Sequence, residues 1–334
     1  MEVEEMEEKY IIRDTRTFSD FKIFTLSNFK KVDVKKELIE TMLRYDGKLE
    51  NSQNWCAELI CSGNLLQLWE TILFFFSRYI HLGNTKLPIY LYNRYLYFKD
   101  ISNDVSLEDD LELRNDFRIR NLFSEIICVL TRSKKIYCAE YLKISPDDFD
   151  LTKCESKFKA SSLDYAISVM KKGDPIELSV PLNEFVYHLS LKNNNLSRYW
   201  ADWVIDFDVI CRSKTKNVCF CEPRTNVPVE RKFQKDIIWL IWDSIYFQCQ
   251  NPEYENAPYI GEIIVSLFNL FCIKYTNGCC KKRRYIIYYA ISILTEPFGY
   301  LDVPIIDDVG VINFYKENIN QVYREIKKNE IHNC

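Results

Sequence analysis

The sequence predicts an all-α protein, on three observations. Apolar residues recur at helical spacing over long segments with readable ends. Glycine occurs only 8 times in 334 residues, and the stretches between apolar segments are rich in Asn, Asp and Lys. A many-stranded protein needs tight turns, and tight turns need glycine, so its scarcity favours helices.

The elements follow in order. Residues 1–28 read as an acidic and polar N-terminal segment opening MEVEEMEEKY, without the apolar stretch of a signal peptide. A first helical module is expected over 29–140. In it an apolar run from Leu65 to Leu82 stops at Gly83-Asn84, a C-cap pair, and Pro88 opens the next helix. Asp116 caps "FRIRNLFSEIICVLT". A polar linker is expected over 141–181. The second module, 182–296, carries "LSRYWADWVIDFDVI", "QKDIIWLIWDSIYFQ", "PYIGEIIVSLFNLFCI" and "KRRYIIYYAISILT", with a cysteine-containing insertion at 211–232. Residues 297–334 read as a C-terminal helix, near 311–328, and a tail.

The two modules match each other in order. Ser52-Gln53-Asn54-Trp55 corresponds to Ser197-Arg198-Tyr199-Trp200, and "LWETI" from Leu68 to "IWDSI" from Ile241. Pro88 corresponds to Pro258, and Arg118–Thr131 aligns without a gap on Lys282–Thr295. Four matches in register predict an internal duplication of domain-sized, four-helix-type modules. A packing scheme must recur in both copies, so Trp55, Trp69, Trp200 and Trp242 are expected as core residues. Glu70 and Asp243 share a position, as do Arg120 and Arg284. Two readings stand: solvated acids on each helix flank, or a buried acid–arginine pair in each module.

Composition narrows the function. A net charge of -4 supplies no global field for nucleic acid or anionic lipid, so any such binding must be local. No apolar run approaches the roughly 18 residues of a membrane span, and no membrane partner is expected. Thirteen cysteines, an odd number, read as reduced thiols. The chain has neither a Gly-rich phosphate loop nor more than 3 histidines, so no catalytic residue is assigned and a non-enzymatic role is expected.

Two local clusters carry binding chemistry. Lys281, Lys282, Arg283 and Arg284 form the densest basic stretch and the candidate nucleic-acid contact, against the plainer reading of a solvated turn. Cations at a helix start oppose the helix dipole unless an acid or anion is present. Cys211, Cys219 and Cys221 are the candidate zinc ligands, with Cys249, Cys279 or Cys280 needed as a fourth. Free thiols are the alternative there, and no other cofactor is expected.

Residues 29–101, through "DVKKELIETML", "NWCAELICSG" and "FSRYIHLGNTKLP", resemble the helical collar of clamp-loader-like AAA+ ATPases, without the ATPase. That resemblance implies an oligomerising fold, and so a homo-oligomer. The whole chain, with "AELICSG", "IHLGNTKLPIYL" and "SLFNLFCIKYTNGCCKKRR", resembles a family of uncharacterised proteins from nucleocytoplasmic large (giant) DNA viruses. It implies a setting: host cytoplasm, viral factory or virion. The expected function is a helical scaffold or adaptor for protein partners. The alternative is a nucleic-acid-associated replication or transcription accessory factor.

Overall fold

The computed structural model describes residues 9–17, 19–44, 49–104, 110–215, 219–251, 254, 256–298 and 305–330. The protein is all-α: its described residues form helices and no strand, with isolated bridges only at Phe24–Lys30 and Phe220–Asp236. Two units divide the chain, one of residues 1–136 with 302–334 and one of residues 137–301. None of the described helices is long and apolar enough to cross a membrane.

Unit 1 contains α1 (Lys31–Leu43), α2 (Leu49–Cys61), α3 (Leu65–Phe75), α4 (Leu87–Asp104), α5 (Asp110–Asn115) and α6 (Phe117–Arg132). Gly63 ends α2 in the left-handed region, φ 64°, and the Asn64 N–H closes back on the Leu59 carbonyl at 2.9 Å. The Asp116 carboxylate caps α6, accepting from the Arg118 N–H at 2.7 Å. The expected Gly83-Asn84 cap is different in kind. After α3 the chain continues through a π turn at Phe76–Ile80, and His81 takes the positive φ, 47°. Gly83 serves a close approach instead: a Cβ there would lie 2.2 Å from the Lys134 carbonyl oxygen.

Unit 2 contains α7 (Ser179–Ser190), α8 (Asn194–Thr215), α9 (Ile238–Cys249), α10 (Ala257–Cys272), α11 (Cys279–Lys282) and α12 (Arg284–Thr295). Residues 1–136 and 137–301 thus each have six described α-helices. The same pairings recur within each unit: first on second helix, second on third, second on sixth, fourth on sixth and fifth on sixth. Thr131 and Thr295 both return their hydroxyls to the carbonyl four residues back, at 2.7 and 2.8 Å.

Two boundaries differ from expectation. The 141–181 stretch is not a free linker; it packs as an irregular layer on α7 and α8 of its own unit. Phe149 lies 5.1 Å from the Trp203 ring, Phe158 lies 6.0 Å from Trp200, and the Trp203 indole donates to the Asp148 carbonyl at 2.7 Å. Its polarity hid this, because what holds it is backbone N–H groups on buried carboxylates: Lys159 and Ala160 on Glu184, Leu142 on Asp202. The C-terminal segment is two helices, α13 (Gly310–Glu317) and α14 (Ile319–Lys327), which pack on α6 and α2 of unit 1.

The tryptophans divide. Trp69, Trp200 and Trp242 are each at most 1% exposed. Trp69 is ringed by Tyr95, Phe98 and Phe123, and Trp242 by Phe268 and Phe271. Trp55 departs from the expected core role: it is only part-buried, edge-on to Phe29 at 5.4 Å. Trp200, by contrast, has the Phe158 ring of the 141–181 layer 6.0 Å away.

Candidate functional site

The basic stretch folds into a turn that buries half of its charge. Lys281 and Lys282 face solvent, while Arg283 and Arg284 are 2% and 5% exposed. Arg283 donates to the Phe271 carbonyl at 2.5 Å. Arg284, the first residue of α12, lies 3.3 Å from Asp202 and 3.0 Å from Asp206, both on α8. The acid that offsets a cation at a helix start is therefore internal. This corrects the four-charge phosphate footprint, since two of the four charges are committed inside the unit.

Asp202 also accepts from the Tyr288 hydroxyl and from the Leu142 N–H at 3.0 Å. Burial raises its carboxyl to about 6, against the pull of Arg284 and Tyr288. The Arg198 guanidinium lies over the Tyr288 ring at 4.4 Å.

Neither of the two expected acid–arginine pairs forms as written. Asp243 pairs with Arg224 at 2.8 Å, and not with Arg284. Arg224 also forks onto Asp174, at 2.5 and 2.8 Å. In unit 1 Arg120 is buried, but its donors go to the Arg114 and Tyr10 carbonyls and to Asn115, with its guanidinium 3.9 Å from the Tyr323 ring, rather than to Glu70. Arginine has five donors in a fixed fork, so the carbonyl-rich entry of the N-terminal segment satisfies it better than one carboxylate.

The three candidate zinc ligands are not brought together. Cys221 is buried and turns its thiol to the Asp236 carbonyl, 3.3 Å away. Cys219 sits against Cys211 instead. Burial pushes both Cys219 and Cys221 up to about 12, which disfavours the thiolate form a metal ion needs. Among the described residues no group of three or more His, Cys, Asp or Glu side chains is arranged to hold a metal ion.

Beside the basic turn lies a cleft of about 350 Å³ within unit 2. Ile205 and Val209, one turn apart on α8, form one wall, and Ile238 at the start of α9 another. Its floor is Asp236, which accepts from the Tyr275 hydroxyl at 2.9 Å and from the Asn277 amide at 3.1 Å. Cys280 hydrogen-bonds to the same Tyr275 hydroxyl, 2.8 Å away. Burial pushes that thiol up to about 12, which holds it protonated at neutral pH, so it suits contact rather than nucleophilic attack.

Unit 1 presents a different surface. Before α1 the chain forms a short hairpin closed by Phe24–Lys30 pairing and by the Thr25 N–H on the Phe29 carbonyl at 2.9 Å. Its turn is pinned from below: Glu58 accepts from the Ser27 N–H and hydroxyl at 2.8 and 2.7 Å, and Ser62 from the Leu26 N–H at 2.9 Å. On this pinned hairpin Ile23, Phe24 and Phe29 stand 43–65% exposed, Val32 in the first turn of α1 is 76% exposed, and Lys22, Lys30 and Lys36 are exposed beside them.

Compared with protein-family models, curated proteins and solved structures, the chain matches none.

Several residues that organise these sites were not legible in the sequence. Asp202 and Asp206 look like polar punctuation on α8, and Arg224 lies in an irregular loop; their ion-pair partners are 19 to 82 positions away along the chain. A signal did exist for Asp202 and Asp206, four residues apart on one helix, one of them inside an apolar run. The exposed hairpin had a signal too: Ile, Phe and Val interleaved with lysines in "FKIFTLSNFKKV".

Proposed function

We propose that the protein is a non-enzymatic helical adaptor of a large DNA virus, holding protein partners in the infected cell or the particle. The observation that carries this reading is the hairpin of unit 1. Three large apolar side chains, Ile23, Phe24 and Phe29, stand exposed on a segment that Glu58 and Ser62 hold in place, with Val32 exposed at the start of α1 next to it. Contiguous exposed apolar surface of this kind marks interaction sites. Lysines on its margin fit a partner with an acidic rim, because complementary charge sets register and association rate.

The test is recovery of partners from infected cells by the tagged protein and by an Ile23→Glu/Phe29→Glu variant. Loss of specific co-purifying proteins, with an unchanged circular dichroism spectrum, is the expected result. An identical set of partners would sink the adaptor reading at this face.

We further propose that the two units arose by duplication. Support comes from the recurring helix pairings and from the matched Thr131 and Thr295 back-bonds. Superposing 29–132 on 182–296 should align Trp55 with Trp200; a shift of one helical turn would count against it.

A further inference from the structure

We propose that residues 10–16 lie in a groove of unit 1 that reads an extended chain, and that the same segment of a second copy enters it by exchange, joining two chains into a dimer. None of the groove residues belongs to the exposed hairpin face, so this does not rest on the adaptor reading.

Burial alternates along the segment. Ile12 and Asp14 are 1% and 7% exposed, Tyr10 and Arg16 are part-buried, and Arg13, Thr15 and Thr17 face solvent. A period of two is that of an extended chain lying on a surface. Side chains of the unit read its main chain. The Asn115 amide takes both polar groups of Ile12, accepting from the N–H at 2.8 Å and donating to the carbonyl at 2.9 Å, as a neighbouring strand would. Arg120 donates to the Tyr10 carbonyl at 3.2 Å, and Arg114 to the Asp14 and Arg16 carbonyls at 2.8 Å each. Glu330, just past α14, accepts from the Arg13 and Asp14 N–H groups at 2.5 and 3.1 Å. Main-chain hydrogen bonds with an apolar anchor between them are how extended peptides are bound.

The groove side chains are also held from behind. Arg114 donates to the Cys61 carbonyl at the end of α2, and Arg120 donates to the Arg114 carbonyl with its guanidinium 3.9 Å from the Tyr323 ring. These contacts remain when the segment leaves, so the groove is preorganised for another. A second copy carries the matching sequence, and after exchange each groove repeats the contacts of the closed chain. The two forms differ at the hinge. Between Arg16 and the buried Phe21 the chain turns: the Asp20 carboxylate accepts from the Thr17 N–H at 2.7 Å and from its hydroxyl at 3.0 Å, and the Asp20 N–H donates to the Thr17 carbonyl at 2.9 Å. The side-chain bonds of this turn are exposed, so water replaces them when it opens and little is lost.

The experiment follows the full chain by analytical ultracentrifugation, after incubation to equilibrium over a range of concentrations. Wild type is expected to dimerise. Asp20→Ala, which removes the carboxylate that closes the turn, should tighten the dimer about tenfold. Ile12→Asp, which removes the anchor, should weaken it about tenfold or more, and Asn115→Ala decides the point if Ile12→Asp loses helical content. Ile23→Glu/Phe29→Glu should leave the dimer unchanged. With p-benzoylphenylalanine in place of Arg13 and a mixture of isotopically light and heavy chains, cross-links should join position 13 of one copy to the stretch around Glu330 of the other. A monomer at every concentration, cross-links within single copies only, a dimer indifferent to Asp20→Ala or to the groove variants, or one abolished by Ile23→Glu/Phe29→Glu would overturn the proposal.

Discussion

Arg224 and Asp174 form a two-point ion pair, Nη1 to Oδ1 at 2.5 Å and Nη2 to Oδ2 at 2.8 Å, between side chains 1% and 0% exposed. Asp243 meets the same guanidinium through Nε at 2.8 Å. Burial raises the Asp174 carboxyl, but hydrogen bonds from Arg224 and from the Lys171 and Glu222 N–H groups outweigh it and hold it below the usual range. Removing the arginine leaves the buried Asp174 carboxylate, and the part-buried Asp243, without their cation. Arg224→Ala is expected to destabilise unit 2 by about 3–5 kcal/mol in urea denaturation. A change under about 1 kcal/mol would mean the triad is solvated.

The two matched tryptophans should respond unequally. Trp200 is fully buried beneath Phe158, so Trp200→Ala is expected to cost about 3–5 kcal/mol. Trp55 is part-buried, and Trp55→Ala should cost about 1 kcal/mol. Thermal melts of both variants check this, and equal losses would contradict the division.

Asp202 predicts a pH dependence. Its folded pKa, about 6, lies above the ordinary 3.8, so the native state retains a proton there that the unfolded chain has released. Native stability therefore falls as pH rises from 3.8 to about 6, and levels off above. Asp202→Asn removes this dependence and leaves Arg284 paired with Asp206. Across that window wild type should lose up to about 3 kcal/mol relative to the variant. Parallel stability–pH curves would refute the assignment.

Tyr323 ties the C-terminal helices to unit 1. It is fully buried on α14, with the Arg120 guanidinium 3.9 Å from its ring. Tyr323→Ala should cost about 3–5 kcal/mol, the range for a buried aromatic. A chain ending at residue 301 should unfold unit 1 at markedly lower urea. Unchanged unfolding on truncation would show that α13 and α14 are dispensable.

Nucleic-acid binding, if measured, should be shallow in salt. Only Lys281 and Lys282 of the basic stretch face solvent. Two phosphate contacts imply a log–log salt slope of about −1.4 to −1.8, at roughly −0.7 to −0.9 per phosphate. A slope near −4 would require Arg283 and Arg284 to leave their internal partners.

By itself the sequence determined the all-α class, most helix positions, the Asp116 cap and three of the four core tryptophans named from it. Those features are local: apolar period, capping chemistry and the scarcity of glycine act within a turn or two of chain. The partners of the charges were decided only by tertiary structure. Arg284 meets Asp202 and Asp206 rather than Asp243, Arg120 meets carbonyls rather than Glu70, and the Cys221 thiol meets the Asp236 carbonyl. Each such pairing depends on which helix faces pack together and on how much water they exclude. Coulomb attraction between residues far apart in sequence has no periodicity to read. The fuller burial of Trp200 than of Trp55 has the same origin: burial belongs to a place in the folded chain, and a residue's type sets only its preference for it.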